Sequence, residues 1–338
     1  MKAYNISIEG RKLHYLSGGK GPVIMLFHAS PMSSRSLMPL IQLLQSDFTV
    51  IAPDTPGYGL SDLPVAQPEH IIEYVEIFDS FRNALGIEKM AVYGTATGAQ
   101  IAIRYGLAYP HRISHIFLDN TAHFSGKEKE EIFESYFPDY TPKSDGSHLM
   151  AIWDTVIHLF QYFPWCFQTP KYKLSSPIPP VGVLHHFAME YLRAGPEYDW
   201  AYKAAFRHED RKYIQELKVP THIFRWEASI IKAYAERIFE IDLPKNITSE
   251  VIPKSVDRYS AMHQAIYSRY KGDIQSVQHG IEESAQKEMT NLDMAFPEPE
   301  VSGQYLQQAW STMRANKKEQ TVDDVNQAFI YWASSQTK

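Results

Sequence analysis

The 338-residue sequence has a single cysteine, Cys166, so no intrachain disulfide can brace it. Set between Trp165 and Phe167, that thiol reads as a small buried apolar residue rather than a reactive group. No apolar run approaches the ~18 residues of a membrane-spanning helix. The polar, alternating N-terminus MKAYNISIEGRKLHYLSGG also lacks the apolar stretch of a secretory signal. These absences set the expectation of a soluble, cytoplasmic protein with no membrane partner. Basic residues are short as well: 33 Lys and Arg stand against 39 Asp and Glu, for a net charge of −6. With no dense basic stripe to neutralise phosphates, nucleic acid is not an expected partner. No glycine-rich dinucleotide fingerprint follows the first strand, and no phosphate loop with its lysine occurs. His185 and His186 are neighbours, about 100° apart on a helix, and cannot grip one ion together. Neither a metal nor a cofactor is expected.

What is present is an alternation of short apolar runs and helical patterns. Hydrophobic residues make up 44% of the chain, enough for a sizeable core in one large domain with an insertion, or in two domains. Residues 4–16 alternate and turn near Gly10, as two antiparallel strands would. VIMLFH (23–28), FTVIAPD (48–54), MAVYG (90–94) and ISHIFLD (113–119) read as strands buried on both faces, with helical patterns over 68–86 and 98–109. This spacing predicts right-handed crossovers and a parallel sheet with helices on both sides. From 124 to 212 the pattern becomes aromatic, proline-rich and helical; it returns to strands at THIFRW (221–226) and SEVIPK (249–254). The block reads as an insertion that acts as a lid over the sheet's C-terminal edge. The reading is therefore a first core part over 1–123, a lid over 124–212, a second core part over 213–270 and a helical extension over 271–338. In that extension Gly303, Leu306 and Trp310 echo Gly146, Leu149 and Trp153. The extension reads as packing helices, as a contact in a homo-oligomer, or as a mere appendage.

Three stretches carry a family resemblance. LFHASPMSS (26–34) resembles the loop after the third strand of the α/β-hydrolases, and APDTPGYGLSD (52–62) resembles their strand-four exit. VYGTATGAQIA (92–102) is similar to their nucleophile elbow, G-x-S-x-G. The resemblance covers about residues 4–270 and implies a mostly parallel eight-stranded sheet with helices on both faces and an inserted helical lid. It also implies that Gly94 and Gly98 let strand and helix approach closely, with residue 96 exposed between Thr95 and Thr97. The backbone N–H groups of Thr97 and of Ala29 or a neighbour would then face a developing oxyanion, with His28 and Ser30 shaping that loop.

Acyl transfer needs a nucleophile, a base and an orienting acid. Position 96 is alanine, which cannot attack. Ser229, in Trp226-Glu227-Ala228-Ser229, falls at the usual acid position, and Asp257, in IPKSVDRYS (252–260), falls at the usual histidine position. A nucleophile-to-alanine exchange accounts for Ala96 alone and leaves Ser229 and Asp257 standing. Asp119, at the end of FLDN, stands where some family members place their acid; it is either that displaced acid or a cap on the following loop. His263 is the next histidine downstream, as a base or as a helix-surface residue, and Arg258 beside Asp257 is either a carboxylate clamp or half of an exposed pair. The segments SDGSHLMAIW and FPWC (144–153, 163–166) also resemble a group of bacterial α/β-hydrolase-like proteins whose elbow often carries histidine.

The resemblance implies a hydrolase acting on a small apolar carbonyl compound, an ester or a C–C bond, bound by lid residues such as Trp153, Trp165 and His185. Two alternatives stay open: a non-catalytic member that binds a small ligand, or a cofactor-free lyase or isomerase. A scaffold role, with lid and tail making protein contacts, is the remaining class.

Overall fold

The computed structural model describes residues 1–283. The readings placed on the tail past residue 283, including the Gly303, Leu306 and Trp310 echo, lie outside the described residues. A hairpin of β1 (Lys2–Ile8) and β2 (Arg11–Gly18) opens the chain, turning through Glu9 and Gly10, both at positive φ. The sheet continues in β3 (Val23–Phe27), β4 (Thr49–Pro53), β5 (Met90–Thr95), β6 (Ile113–Asp119), β7 (Thr221–Trp226) and β8 (Ile247–Ile252). These six run parallel, and the spatial order is β8-β7-β6-β5-β3-β4-β2-β1 before the last strand. That last strand makes nine where the sequence predicts eight. β9 (Ile281–Glu282) supplies only two residues, antiparallel to β1, and covers part of an otherwise unpaired edge.

Ten helices occur among the described residues. α1 (Met38–Leu44), α2 (Ile71–Ala84) and α3 (Thr97–Ala108) lie between the early strands. α4 (Gly126–Ser135), α5 (Ser147–Leu159), α6 (Val181–Ala194), α7 (Trp200–His208) and α8 (Arg211–Glu216) separate β6 from β7. α9 (Lys232–Ala235) and α10 (Arg258–Arg269) flank β8. Among the described residues no helix is long and apolar enough to cross a membrane.

Residues 1–134 and 197–283 form one compact unit, and residues 135–196 another. In the first, alternate strand residues (Ile24, Leu26, Val50, Ala52, Tyr93, Phe117, Phe224) pack against α1 and α10 through Leu40, Ile41, Met262 and Ile266. This is the period-two pattern of strands with both faces covered. On the opposite side Phe27 meets Phe78 of α2 at 4.8 Å between ring centroids. The second unit is shorter than the 124–212 block marked in the sequence. α7 carries Ala201, Ala204 and Ala205 on its buried face, small enough to lie close against α3, so it belongs with the sheet. Within the second unit α5 and α6 pack together through Ile152, Val156, Leu184 and Ala188. Tyr140 ties them: its hydroxyl shares a hydrogen bond with Thr155 and its ring meets Tyr191 edge-on at 5.9 Å.

Two glycines place the elbow. A Cβ on Gly98 would enter the carbonyl oxygen of Phe27, and one on Gly94 would enter that of Gly98. β3, β5 and α3 thus meet backbone to backbone at this point. Gly98→Ala is expected to cost about 2–3 kcal/mol through overpacking. Gly126→Ala, where an added Cβ meets nothing within 4 Å, is expected to leave stability unchanged or slightly raised. Urea unfolding of the two variants checks the contrast.

Candidate functional site at the strand-to-helix elbow

β5 ends at Thr95 and α3 begins at Thr97, so the chain must reverse within one residue. Ala96 makes that turn at φ 51°, ψ −113°, a conformation that costs a non-glycine residue about 1–3 kcal/mol. Its N–H donates to the Asp119 carbonyl at 3.1 Å, and its carbonyl accepts from Ala99 N at 2.9 Å. The strain is held from both sides, and Ala96 stays partly exposed.

The loop after β3 runs beside it. Thr55 N–H donates to His28 Nε2 at 2.9 Å, so that nitrogen carries a lone pair and the proton sits on Nδ1, which donates to the Ala29 carbonyl at 2.9 Å. Both ring nitrogens of this buried histidine are spent on shaping the loop. Ser30 follows, buried, ahead of a cis peptide to Pro31. Among the described residues, no protein acceptor takes the N–H of Ala29 or of Thr97. Thr97 is the first residue of α3, where helix N–H groups have no intrahelical partner and favour negative charge.

Asp119 ends β6 in register with Thr95. Its Oδ2 accepts from Tyr93 Oη at 3.0 Å and Asn120 Nδ2 at 3.2 Å, and forms an ion pair with the Arg258 guanidinium. Asp119 Oδ1 and Arg258 Nε are buried with no hydrogen-bond partner. Arg258 lies 4.2 Å over the Trp226 ring and 5.1 Å from that of Tyr259. Burial, with the Asp119 charge alongside, pushes the Tyr93 phenol well above its ordinary value. Asn120, at φ 48°, extends the network: Nδ2 donates to Thr95 Oγ1 at 3.1 Å, and Oδ1 accepts from Ser229 Oγ at 2.6 Å. Three strand ends and one helix start are thus joined by side chains on the edge that carries the elbow.

The sequence-marked residues divide accordingly. Thr95, Ala96, Thr97, Asp119 and Ser229 come together, with His28, Ala29 and Ser30 on the adjoining loop. Asp257 does not join them: it is exposed and N-caps α10, accepting from Ser260 N at 3.3 Å. The hydrogen bond from Ser260 Oγ, with the backbone one beside it, holds its carboxyl below the usual range. His263 is bound elsewhere, with Nε2 at 2.8 Å from Asp47 Oδ2 just ahead of β4, at the opposite end of the strands. Trp153, Trp165 and His185 belong to the second unit. There Trp165 packs on Tyr136 at 5.8 Å, and burial lowers the His185 imidazole from its ordinary value. Of the two readings of Arg258, the exposed pair with Asp257 is not what forms: the guanidinium is the largely buried partner of the Asp119 carboxylate. Tyr93 and Asn120 went unmarked, although Tyr93 shares a strand face with Thr95 and Asn120 adjoins Asp119. Among the described residues no group of three or more His, Cys, Asp or Glu could hold a metal ion.

A family model described as alpha/beta hydrolase fold matches residues 22–147, the stretch containing the loop after β3, the elbow and β6. This is the α/β-hydrolase fold. An uncharacterized hydrolase from Saccharomyces cerevisiae is 34% identical over 114 residues, 33% of this chain and 39% of that protein. Haloalkane dehalogenase 2 from Mycobacterium tuberculosis is 31% identical over 115 residues, 34% of this chain and 40% of the relative. The matched stretch therefore spans about two fifths of these relatives' length. Epoxide hydrolase A from Mycobacterium thermoresistibile superposes with a TM-score of 0.60 at 18% identity, covering 82% of this chain and 99% of that one. The α/β-hydrolase fold is thus shared over most of the chain, while the family model matches residues 22–147.

Removing one member of a buried ion pair strands the other, so Arg258→Ala is expected to cost about 3–5 kcal/mol. Asp257→Ala, which removes only a helix cap, is expected to cost about 1 kcal/mol. Chemical denaturation of both separates the buried charge from the surface cap.

Proposed function

We propose that this chain binds a small, largely apolar carbonyl compound at its elbow without forming a covalent intermediate. The observation that carries the reading is Arg258: the segment after the last parallel strand sends a guanidinium, not an imidazole, to the Asp119 carboxylate. With Ala96 at the tip, the residue that the turn presents has no group that can attack. With Asp119 occupied by Arg258 and His263 held by Asp47 at the other end of the strands, no acid–histidine pair among the described residues joins the elbow network to activate one. The uncommitted N–H groups of Ala29 and Thr97 support the carbonyl preference, because they suit a polarised oxygen whether or not a bond is broken.

A hydrolytic reading has one observation in its favour: relatives that share about a third of the chain are named as hydrolase and haloalkane dehalogenase. It would require water to be activated by a group outside the elbow network.

One experiment separates the two. The native chain and Ala96→Ser are mixed with p-nitrophenyl butyrate under stopped flow, and a neutral aryl ketone, 4-phenyl-2-butanone, is titrated by thermal shift. The expected outcome is no p-nitrophenolate burst from either protein and a ketone-dependent rise in Tm that Ala96→Phe abolishes by filling the tip. A stoichiometric burst from Ala96→Ser, or turnover by the native chain, contradicts the reading.

A further inference from the structure

The second unit has one segment that its own packing leaves uncovered. From Ser175 to Val183 the chain reads SSPIPPVGV, without a charge, and every residue but Pro179 is exposed. Ile178, Val181 and Val183 are 45%, 41% and 42% exposed, the densest run of exposed large apolar side chains among the described residues. The base of this tip is pinned on both sides. Phe163 N–H donates to the Tyr172 carbonyl at 2.9 Å and Leu174 N–H to that of Gln161 at 2.8 Å, while α6 packs on α5 from Leu184 onward. Between these anchors the first turn of α6 stands clear. Val181, Gly182 and Val183 are all exposed, although consecutive helix residues point about 100° apart. A partner that covers them must surround the tip rather than press on one face.

Two further features select the chemistry of that partner. None of the chain's 39 Asp and Glu falls between residues 155 and 189, while Lys171 and Lys173 stand exposed beside the tip. A chain of net charge −6 thus presents here an acid-free stretch flanked by cations, which suits an anionic surface. Pro177, Pro179 and Pro180 have no N–H to desolvate, and the Val183 N–H is already met by the Pro180 carbonyl at 2.9 Å. A backbone short of unpaired donors enters an apolar medium at low cost. We propose that this tip adsorbs to the surface of an anionic bilayer. Ile178, Val181 and Val183 enter the boundary between headgroups and acyl chains, and Lys171 and Lys173 stay among the phosphates. Adsorption of this kind needs no spanning helix, so the expectation of no membrane partner, which rested on that absence, does not bear on it.

Co-sedimentation of the full chain with sucrose-loaded vesicles tests the proposal, using phosphatidylcholine alone and phosphatidylcholine with about 30% phosphatidylglycerol. The native chain is expected to sediment with the anionic vesicles and several-fold less with the neutral ones. Raising NaCl from about 0.1 M to about 0.5 M is expected to weaken the anionic binding several-fold, an arm that needs no variant. The double variant Ile178→Asp/Val181→Asp is expected to lower the partition coefficient at least about tenfold, with Tm unchanged because both side chains are exposed. Lys171→Glu/Lys173→Glu is expected to remove the preference for anionic lipid. Failure of the native chain to sediment with the anionic vesicles, or undiminished binding by the aspartate variant, overturns the proposal. So does a concentration-dependent dimer that the aspartate variant breaks while no vesicle binding is seen, since the tip then meets a second copy of the chain.

Discussion

The Arg258 guanidinium lies over the Trp226 indole with its edge on the Asp119 carboxylate, and that carboxylate also gathers Tyr93 and Asn120. β5, β6, β7 and the start of α10 converge on this one charge pair. Because Asp119 is buried and the Arg258 side chain is only 15% exposed, neither can be released cheaply; breaking such a pair from one side costs more than forming it returns. The arrangement therefore acts as a fixed polar floor beneath the elbow. An acid held this way orients a guanidinium, which has no lone pair with which to take a proton from a nucleophile.

The elbow itself keeps the geometry that its fold provides. Ala96 retains the strained dihedrals, and the Gly94–Gly98 approach remains so close that no side chain fits. Strain of this kind persists only where neighbouring structure over-determines it, here through the Asp119 and Ala99 hydrogen bonds. A turn that costs stability while presenting a methyl group is consistent with a site that depends on its free backbone donors more than on a side chain at the tip.

Much of this was legible in the sequence. Continuous apolar runs mark buried parallel strands, and the glycines at 94 and 98 mark a close backbone approach, because both signals are local. The eight long strands follow from them; the two-residue β9 does not, since a strand that short has no period to detect. Asp119 and Ser229 were marked through family position, and the structure brings them together through Asn120. The pairing of Arg258 with Asp119 has no local signature: the partners lie 139 residues apart, while Asp257 adjoins Arg258 in the chain. His263 shows the same limit: its Asp47 contact spans 216 residues and carries no local signature. The alanine face of α7 resembles any small-residue helix until α3 is seen against it.

The central claim, that a buried carboxylate–guanidinium pair stands where an acid–base pair would work, is tested most directly by a double-mutant cycle. Stabilities of the native chain, Asp119→Asn, Arg258→Gln and the combined variant yield the coupling free energy between the two side chains. The account predicts a favourable coupling of about 2 kcal/mol or more, as expected for contacting groups in one buried network. A coupling within about 0.5 kcal/mol of zero would show that the two residues act independently, and would contradict it.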